Sequence, residues 1–138
     1  MDTHHISSVF THGMAFNATI NGHTVVTDIT VNDGGNDEGP SPKRLMLVSL
    51  AGCTGIDVVS ILNKMKTPFS NLSIDITATL TDEHPKIYKE VKMVYKIKIA
   101  EADRSKMEKA VKLSEEKYCG VSAMFRKFAS VEYEIVYL

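Results

Sequence analysis

A surplus of charge of either sign is the first thing this sequence lacks. Its 138 residues carry 16 Lys and Arg against 17 Asp and Glu, a formal net charge of −1. Nothing therefore marks it electrostatically for a polyanion, and nucleic acid is not an expected partner. Cysteine is scarce as well. Cys53 and Cys119 are the only two and lie far apart, which is neither a dense disulfide framework nor a zinc pattern such as C-x-x-C. In a reducing cytosol that leaves free thiols or a reactive pair. The longest apolar run, Leu45 to Leu62, is broken by Asp57, and the opening MDTHHISSVF has neither the basic start nor the apolar centre of a signal peptide. A soluble, cytoplasmic protein without a membrane segment is the expectation. There is no internal repeat and no low-complexity tract, and with 43% hydrophobic and 24% charged residues disorder and collagen-like repeats are poor readings. One domain over residues 1–138 is expected.

What is present is organised by its punctuation. From Ser7 to Val31 short β-rich runs alternate around Asn21-Gly22, a dipeptide that tolerates the positive φ of a type I′ hairpin turn. NDGGNDEGPSP, Asn32 to Pro42, is a loop ending in a helix start, with Ser41 as N-cap and Pro42 at the first helical position. The helix predicted from there to about Lys66 is apolar almost all round from Leu45 to Leu62, so it should be enclosed on most sides and form the centre of the core. Pro68 stops it. ITATL within NLSIDITATLTD, and KEVKMVYKIKIA after the turn at His84-Pro85, alternate with period two and read as an antiparallel pair with one wet face. Asp103 to Tyr118 returns to helical period, with Met107, Ala110, Val111, Ser114 and Tyr118 on one side and the pairs Arg104/Glu108 and Lys112/Glu116 on a solvated face. A short helix after Cys119-Gly120 and a closing strand, VEYEIVYL, complete the order βββ, α, ββ, α, α, β. That is an α+β fold. The three-strand start could pack on its own helix or on another chain's, and so apolar a central helix favours a shared core.

The thiols differ in setting. Cys53 lies in mid-helix, where the macrodipole does little to favour thiolate, and Asp57 one turn on would oppose it. Cys119 precedes a short helix, with Gly120 and Ser122 in its first turn, where free N–H groups lower a thiol pKa. The bland reading of each is a small core residue.

Two segments together, SPKRLMLVSLAGCTGIDVVSILNKM and AVKLSEEKYCGVSAMFRKF, resemble the OsmC/Ohr superfamily, and most closely its YhfA-like members. The likeness runs over nearly the whole chain. It implies an OsmC-like fold, β-β-β-α-β-β-α-α-β, built as an intertwined homodimer with the long helices back to back and a site at the dimer interface. It also implies a thiol peroxidase, peroxiredoxin-like in its chemistry, serving the oxidative stress response: Cys53 attacks an organic hydroperoxide or hydrogen peroxide and becomes a sulfenic acid, Cys119 resolves it as a disulfide, and a dithiol reductant reopens the bond. The alternative kept beside it is a non-peroxidase dimer binding a small apolar or thiol-reactive ligand in the interfacial cleft. One departure bears on the choice. Family members that are good peroxidases carry Pro-Glu ten residues before the first cysteine and pair that Glu with an Arg from an early strand. Here the position is Lys43, followed by Arg44, and no Arg precedes Arg44. Lys43 and Arg44 are supporting candidates, but ten residues are roughly 15 Å of helix.

Four of the five histidines, His4, His5, His12 and His23, fall in the first 23 residues, and His84 is the fifth. A histidine from a crossed strand could supply the missing cation, although ordinary surface residues are the favoured reading. A metal site of Cys53, Cys119 and a histidine has no supporting spacing, and no metal or cofactor is expected. Asp57 is a proton-transfer candidate, or a structural carboxylate bonded by Thr54 or Ser60 or facing its twin, and the structural role is favoured. Met46, Met65, Met93, Met107 and Met124 are expected in the core, or lining a pocket for an apolar peroxide tail.

Overall fold

The computed structural model describes all residues, Met1 to Leu138, as two compact units, Met1–Leu47 and Val48–Leu138. In the first, β1 (Ser7–His12), β2 (Ala15–Ile20) and β3 (His23–Thr27) form an antiparallel sheet in that order. The β2–β3 turn is the one the sequence announced: Asn21 and Gly22 both have positive φ, 53° and 78°, as a type I′ turn demands. The acidic loop that follows is wound around one buried carboxylate. Asp28 accepts backbone N–H groups from Ile29 (2.7 Å), Asn36 (3.2 Å) and Glu38 (3.1 Å), and these hydrogen bonds hold its pKa below the usual carboxylate value. The chain closes so tightly there that a Cβ on Gly35 would clash with the Ile29 carbonyl oxygen, so only glycine fits.

The second unit is a helical layer with a second three-stranded sheet. Helix α1 spans Pro42–Lys64, beginning at the predicted proline and ending two residues before the predicted stop. β4 (Phe69–Leu80) and β5 (Tyr88–Ile99) pair antiparallel, as their alternation indicated, and β6 (Ser130–Tyr137) joins β5 in parallel, giving the order β4-β5-β6. The parallel pairing requires a crossover. It is made by α2 (Arg104–Leu113), a five-residue π-helical turn at Ser114–Tyr118, and α3 (Gly120–Phe125).

The core of this unit is Leu50, Val58 and Leu62 of α1, Val91, Met93, Tyr95 and Ile97 of β5, Met107, Ala110 and Val111 of α2, and Phe125. Phe125 stacks on Tyr88 (6.4 Å between ring centroids) and tilts on Phe128 (5.1 Å).

Several expectations need correcting. The α1 helix is not enclosed on most sides within the chain. Leu50, Thr54, Val58 and Leu62 make a single buried stripe at four-residue spacing, while Val48 and Ile56 are 63% and 72% exposed. Its length and composition alone would let it cross a membrane, with a mean hydropathy of 2.0, a property the Asp57 interruption had hidden. A one-sided core helix passes the same test. Of the methionines, Met93 and Met107 are core, but Met46 and Met124 are exposed. The helix expected over Asp103–Tyr118 is α-helical only to Leu113, and the ion pair on its exposed side is Asp103–Lys106 at 3.1 Å, while Arg104 stacks over the Tyr137 ring at 4.6 Å.

Candidate active site

Three chemistry-bearing side chains from two distant parts of the sequence meet in the second unit. The ligating atoms of Cys53, Asp57 and Cys119 all lie within 4.8 Å of one another. Cys53 and Asp57 are one turn apart on α1, on one face because the helix repeats every 3.6 residues. The π turn brings up the third. Its widened winding directs the Cys119 N–H to the Ser114 carbonyl, five residues back, at 2.8 Å, and π segments of this kind occur often at functional sites. It leaves Ser114 and Glu115, neighbours in sequence, both buried. Ser114 Oγ donates to Asp57 Oδ2 at 2.9 Å, so the structural partner of Asp57 is neither Thr54 nor Ser60. Thr54 instead bonds the carbonyls of Leu50 and Ala51 within its own helix.

Cys119 is the N-cap of α3, and its Sγ accepts the Ser122 N–H at 3.2 Å. That hydrogen bond acts as the sequence anticipated, favouring thiolate. Burial is the larger effect and wins: together with the hydrogen bond shared with Cys53, it pushes the Cys119 thiol up to about 12. Cys119 is therefore a neutral thiol near pH 7, a correction to the expectation that its helix position lowers its pKa. Both cysteines are free, Cys53 half-buried and Cys119 buried.

Behind Cys119 stands a closed polar network that sequence reasoning missed. The Glu115 carboxylate is buried and accepts from Tyr95 Oη (2.7 Å), Ser122 Oγ (2.7 Å) and Arg126 Nη2 (2.9 Å), while Arg126 Nη1 reaches the Glu115 carbonyl at 2.8 Å and Ser122 Oγ at 3.0 Å. Every buried side-chain polar atom has a partner. Ser122 is thus fixed twice, its side chain between Glu115 and Arg126 and its N–H on Cys119. The one available signal was the i,i+4 spacing of Ser122 and Arg126, with an acid just ahead of Cys119. This Glu115–Arg126 pair is a different one from the family pair whose acidic position is Lys43 here, since both its partners lie on the crossover.

The other candidates belong to the first unit. Lys43 and Arg44 occupy the first turn of α1, where Arg44 Nη1 bonds Ser41 Oγ at 3.1 Å. His12 pairs with Glu38 at 2.6 Å and His5 with Ser7 at 3.4 Å, both inside the first unit. Beside the thiols two openings reach α1. An open groove of about 830 Å³ runs along Gly52, Gly55, Ile56, Val59 and Asn63, and a cleft of about 440 Å³ passes between Asp57, Met65, Leu113 and Tyr118. A Cβ on Gly52 would meet nothing within 4 Å, and one on Gly55 only Ile74 Cδ1 at 3.4 Å.

The structure is a mixed α+β one in which a cysteine at a helix N-cap meets a cysteine in the middle of a long helix. Residues 34–134 match the model of the OsmC-like protein family, and this chain belongs to that family. Protein YhfA of Escherichia coli (strain K12) is 32% identical over 117 residues, covering 83% of this chain and 84% of that one. A solved structure of a hypothetical protein from Aquifex aeolicus VF5 superposes with a TM-score of 0.82 at 27% identity, over 100% of this chain and 99% of the other. The organic hydroperoxide resistance protein OhrB of Bacillus subtilis shares the fold at a TM-score of 0.68 and 20% identity, over 97% and 98% of the two chains.

Proposed function

We propose that the protein is a thiol-dependent hydroperoxide reductase that works as a homodimer, with Cys53 as nucleophile and Cys119 as resolving residue. The observation that carries this reading is the approach of the two sulfurs to within 4.8 Å, one from mid-α1 and one from the N-cap of α3. The family supports it, since its fold includes a protein described as an organic hydroperoxide resistance protein. The Cys53 thiolate attacks one oxygen of the substrate O–O bond, the bond breaks, and the alkoxide leaves as the alcohol after taking up a proton, with Cys53 left as sulfenic acid. The Cys119 sulfur then attacks the Cys53 sulfur, expelling water and forming the disulfide, which a dithiol reduces back to two thiols. Division of labour follows from burial: the half-buried Cys53 can meet a substrate, while the enclosed Cys119 is kept from it and gives up its proton as it attacks, the proton leaving with the sulfenic oxygen as water. The Ser122 N–H holds the Cys119 sulfur in place. The exposed Val48, Gly52 and Ile56 face of α1 is where a second copy of the helix would pack.

Peroxide consumption with a dithiol, compared between wild type and Cys53→Ser, tests the assignment. Loss of activity in the variant is expected, and equal rates would reject a peroxidatic Cys53. A second reading, a non-peroxidase dimer holding a small apolar or thiol-reactive ligand, draws on the apolar groove beside Gly52 and Gly55 and on Lys43 in the family's acidic position. It predicts no Cys53-dependent consumption in the same assay.

A further inference from the structure

We infer that Cys53, Cys119 and Asp57 form a reversible binding site for a thiophilic divalent cation of the zinc type, filled only while both thiols are reduced. These three ligands form no metal motif by spacing because the fold, not nearness in sequence, assembles them. Zinc takes Cys sulfur at about 2.3 Å and carboxylate oxygen at about 2.0–2.2 Å. Tetrahedral angles then put two sulfurs roughly 3.8 Å apart and sulfur and oxygen roughly 3.5 Å apart. The three donor atoms, none more than 4.8 Å from another, need close their separations by no more than about 1.3 Å to meet that geometry. A disulfide asks more of the same sulfurs, since its bond is only about 2.05 Å long.

Three further features suit a cation. The donor set, two sulfurs and a carboxylate, is one that zinc accepts and that hard cations such as magnesium do not. Ser114 Oγ holds one Asp57 oxygen at 2.9 Å, the kind of outer hydrogen bond that fixes a ligating carboxylate. Cys53 and Asp57 are half-buried rather than sealed, and the cleft beside Asp57 gives an ion a way in and leaves the fourth coordination position to water. Two thiolates and one carboxylate also explain why Asp57, a poor neighbour for a lone thiolate, stands where it does: the cation's two positive charges outweigh the repulsion among the three.

The site itself is independent of the peroxidase reading, but its consequence rests on it. A cation shared by both sulfurs caps the nucleophile and the resolving thiol together, so zinc and hydroperoxide compete for the reduced protein, and the disulfide cannot hold the cation.

Reduced, dithiol-free protein titrated with Co²⁺ and Zn²⁺ under anaerobic conditions gives the test. One equivalent of Co²⁺ should bring up sulfur-to-cobalt charge-transfer absorption, displaced by Zn²⁺. The band should vanish in Cys53→Ser, in Cys119→Ser and in the disulfide form, and Asp57→Asn should weaken Zn²⁺ binding at least tenfold. On unmutated protein, one equivalent of Zn²⁺ should slow alkylation of Cys53 at least tenfold, which keeps the test open if a variant fails to fold. A missing sulfur band, Zn²⁺ binding unchanged by either cysteine substitution, or alkylation unaffected by Zn²⁺ would overturn the site. Peroxide consumption measured separately with a chelator distinguishes the two proposals: consumption that needs Cys53 in a protein that binds no zinc removes only the site, and zinc binding without consumption removes only the reductase. Where both hold, one equivalent of Zn²⁺ should suppress consumption until chelator restores it.

Discussion

The two cysteines live in opposite surroundings. Around Cys119 everything is held: its sulfur takes the Ser122 N–H, Ser122 is clamped by Glu115 and Arg126, and Tyr95 closes the far side of Glu115. Around Cys53 little is held. Its helix runs between an open groove and a single buried stripe, two nearby glycines carry no side chain, and Asp57 has one hydroxyl for a partner. A closed, satisfied network is costly to open, because each group removed strands another in a low-dielectric interior. An open helix face is cheap to change. The difference suits a pair in which one sulfur must meet a substrate and the other must wait in a fixed place.

Four measurements would break or sharpen that contrast. The largest effect is expected from Glu115→Ala, which leaves Arg126, Ser122 and Tyr95 without their shared acceptor and should cost about 3 kcal/mol in denaturant unfolding. Asp57→Ala should cost only about 1 kcal/mol, the value of one hydrogen bond at a half-buried site. Equal costs would mean the two regions are not different in kind. Next, limited alkylation of reduced, metal-free protein at neutral pH should label Cys53 at least tenfold faster than Cys119, a rough factor set by exposure and thiolate access. Mass spectrometry of the peptides reads the order, and labelling of Cys119 first would reverse the assignment of roles.

A smaller effect is expected at Gly52. Within one chain an added methyl group meets nothing, so Gly52→Ala should raise the stability of a monomer by about 0.5–1 kcal/mol through helix propensity. If a second α1 packs on that face, the same methyl group should instead weaken association, seen as earlier dissociation on dilution by light scattering. The smallest effect belongs to the first unit and serves as a control. The Asp28 pKa is held down by three backbone N–H groups, so its stabilising contribution is complete above the unfolded carboxylate value of about 3.9 and is lost as pH falls through the lower folded value. Amide exchange at Ile29, Asn36 and Glu38 should therefore quicken in acid, while Asp28→Asn should show fast exchange at every pH and leave the alkylation order unchanged.

Much of the scaffold could be read from residue order, because its signals are local. The turn at Asn21-Gly22, the start of α1 at Pro42 and the alternation in β4 and β5 depend on backbone preference and on period, which neighbours in sequence set. The two segments around Cys53 and Cys119 carried the family as well. The polar network was hidden for a physical reason. Glu115 is one acid in the run Glu115-Glu116, and its neighbour is exposed; which of them turns inward is decided by the switch from α to π winding, and no periodicity rule anticipates that switch. The Cys119 thiol was misjudged in the same way, since the N–H that favours thiolate is local and the burial that opposes it is not.

Taken alone, then, the amino-acid order determined an α+β chain with two separated thiols, a long apolar helix and membership of a fold family. Only the tertiary structure decided that Cys53, Asp57 and Cys119 share one small volume, that a Glu–Arg pair closes the Cys119 side, and that one face of α1 is left open. Hydrogen bonding and helical period act over a few residues and leave their mark in sequence, whereas desolvation and the meeting of charged groups depend on everything that packs around them.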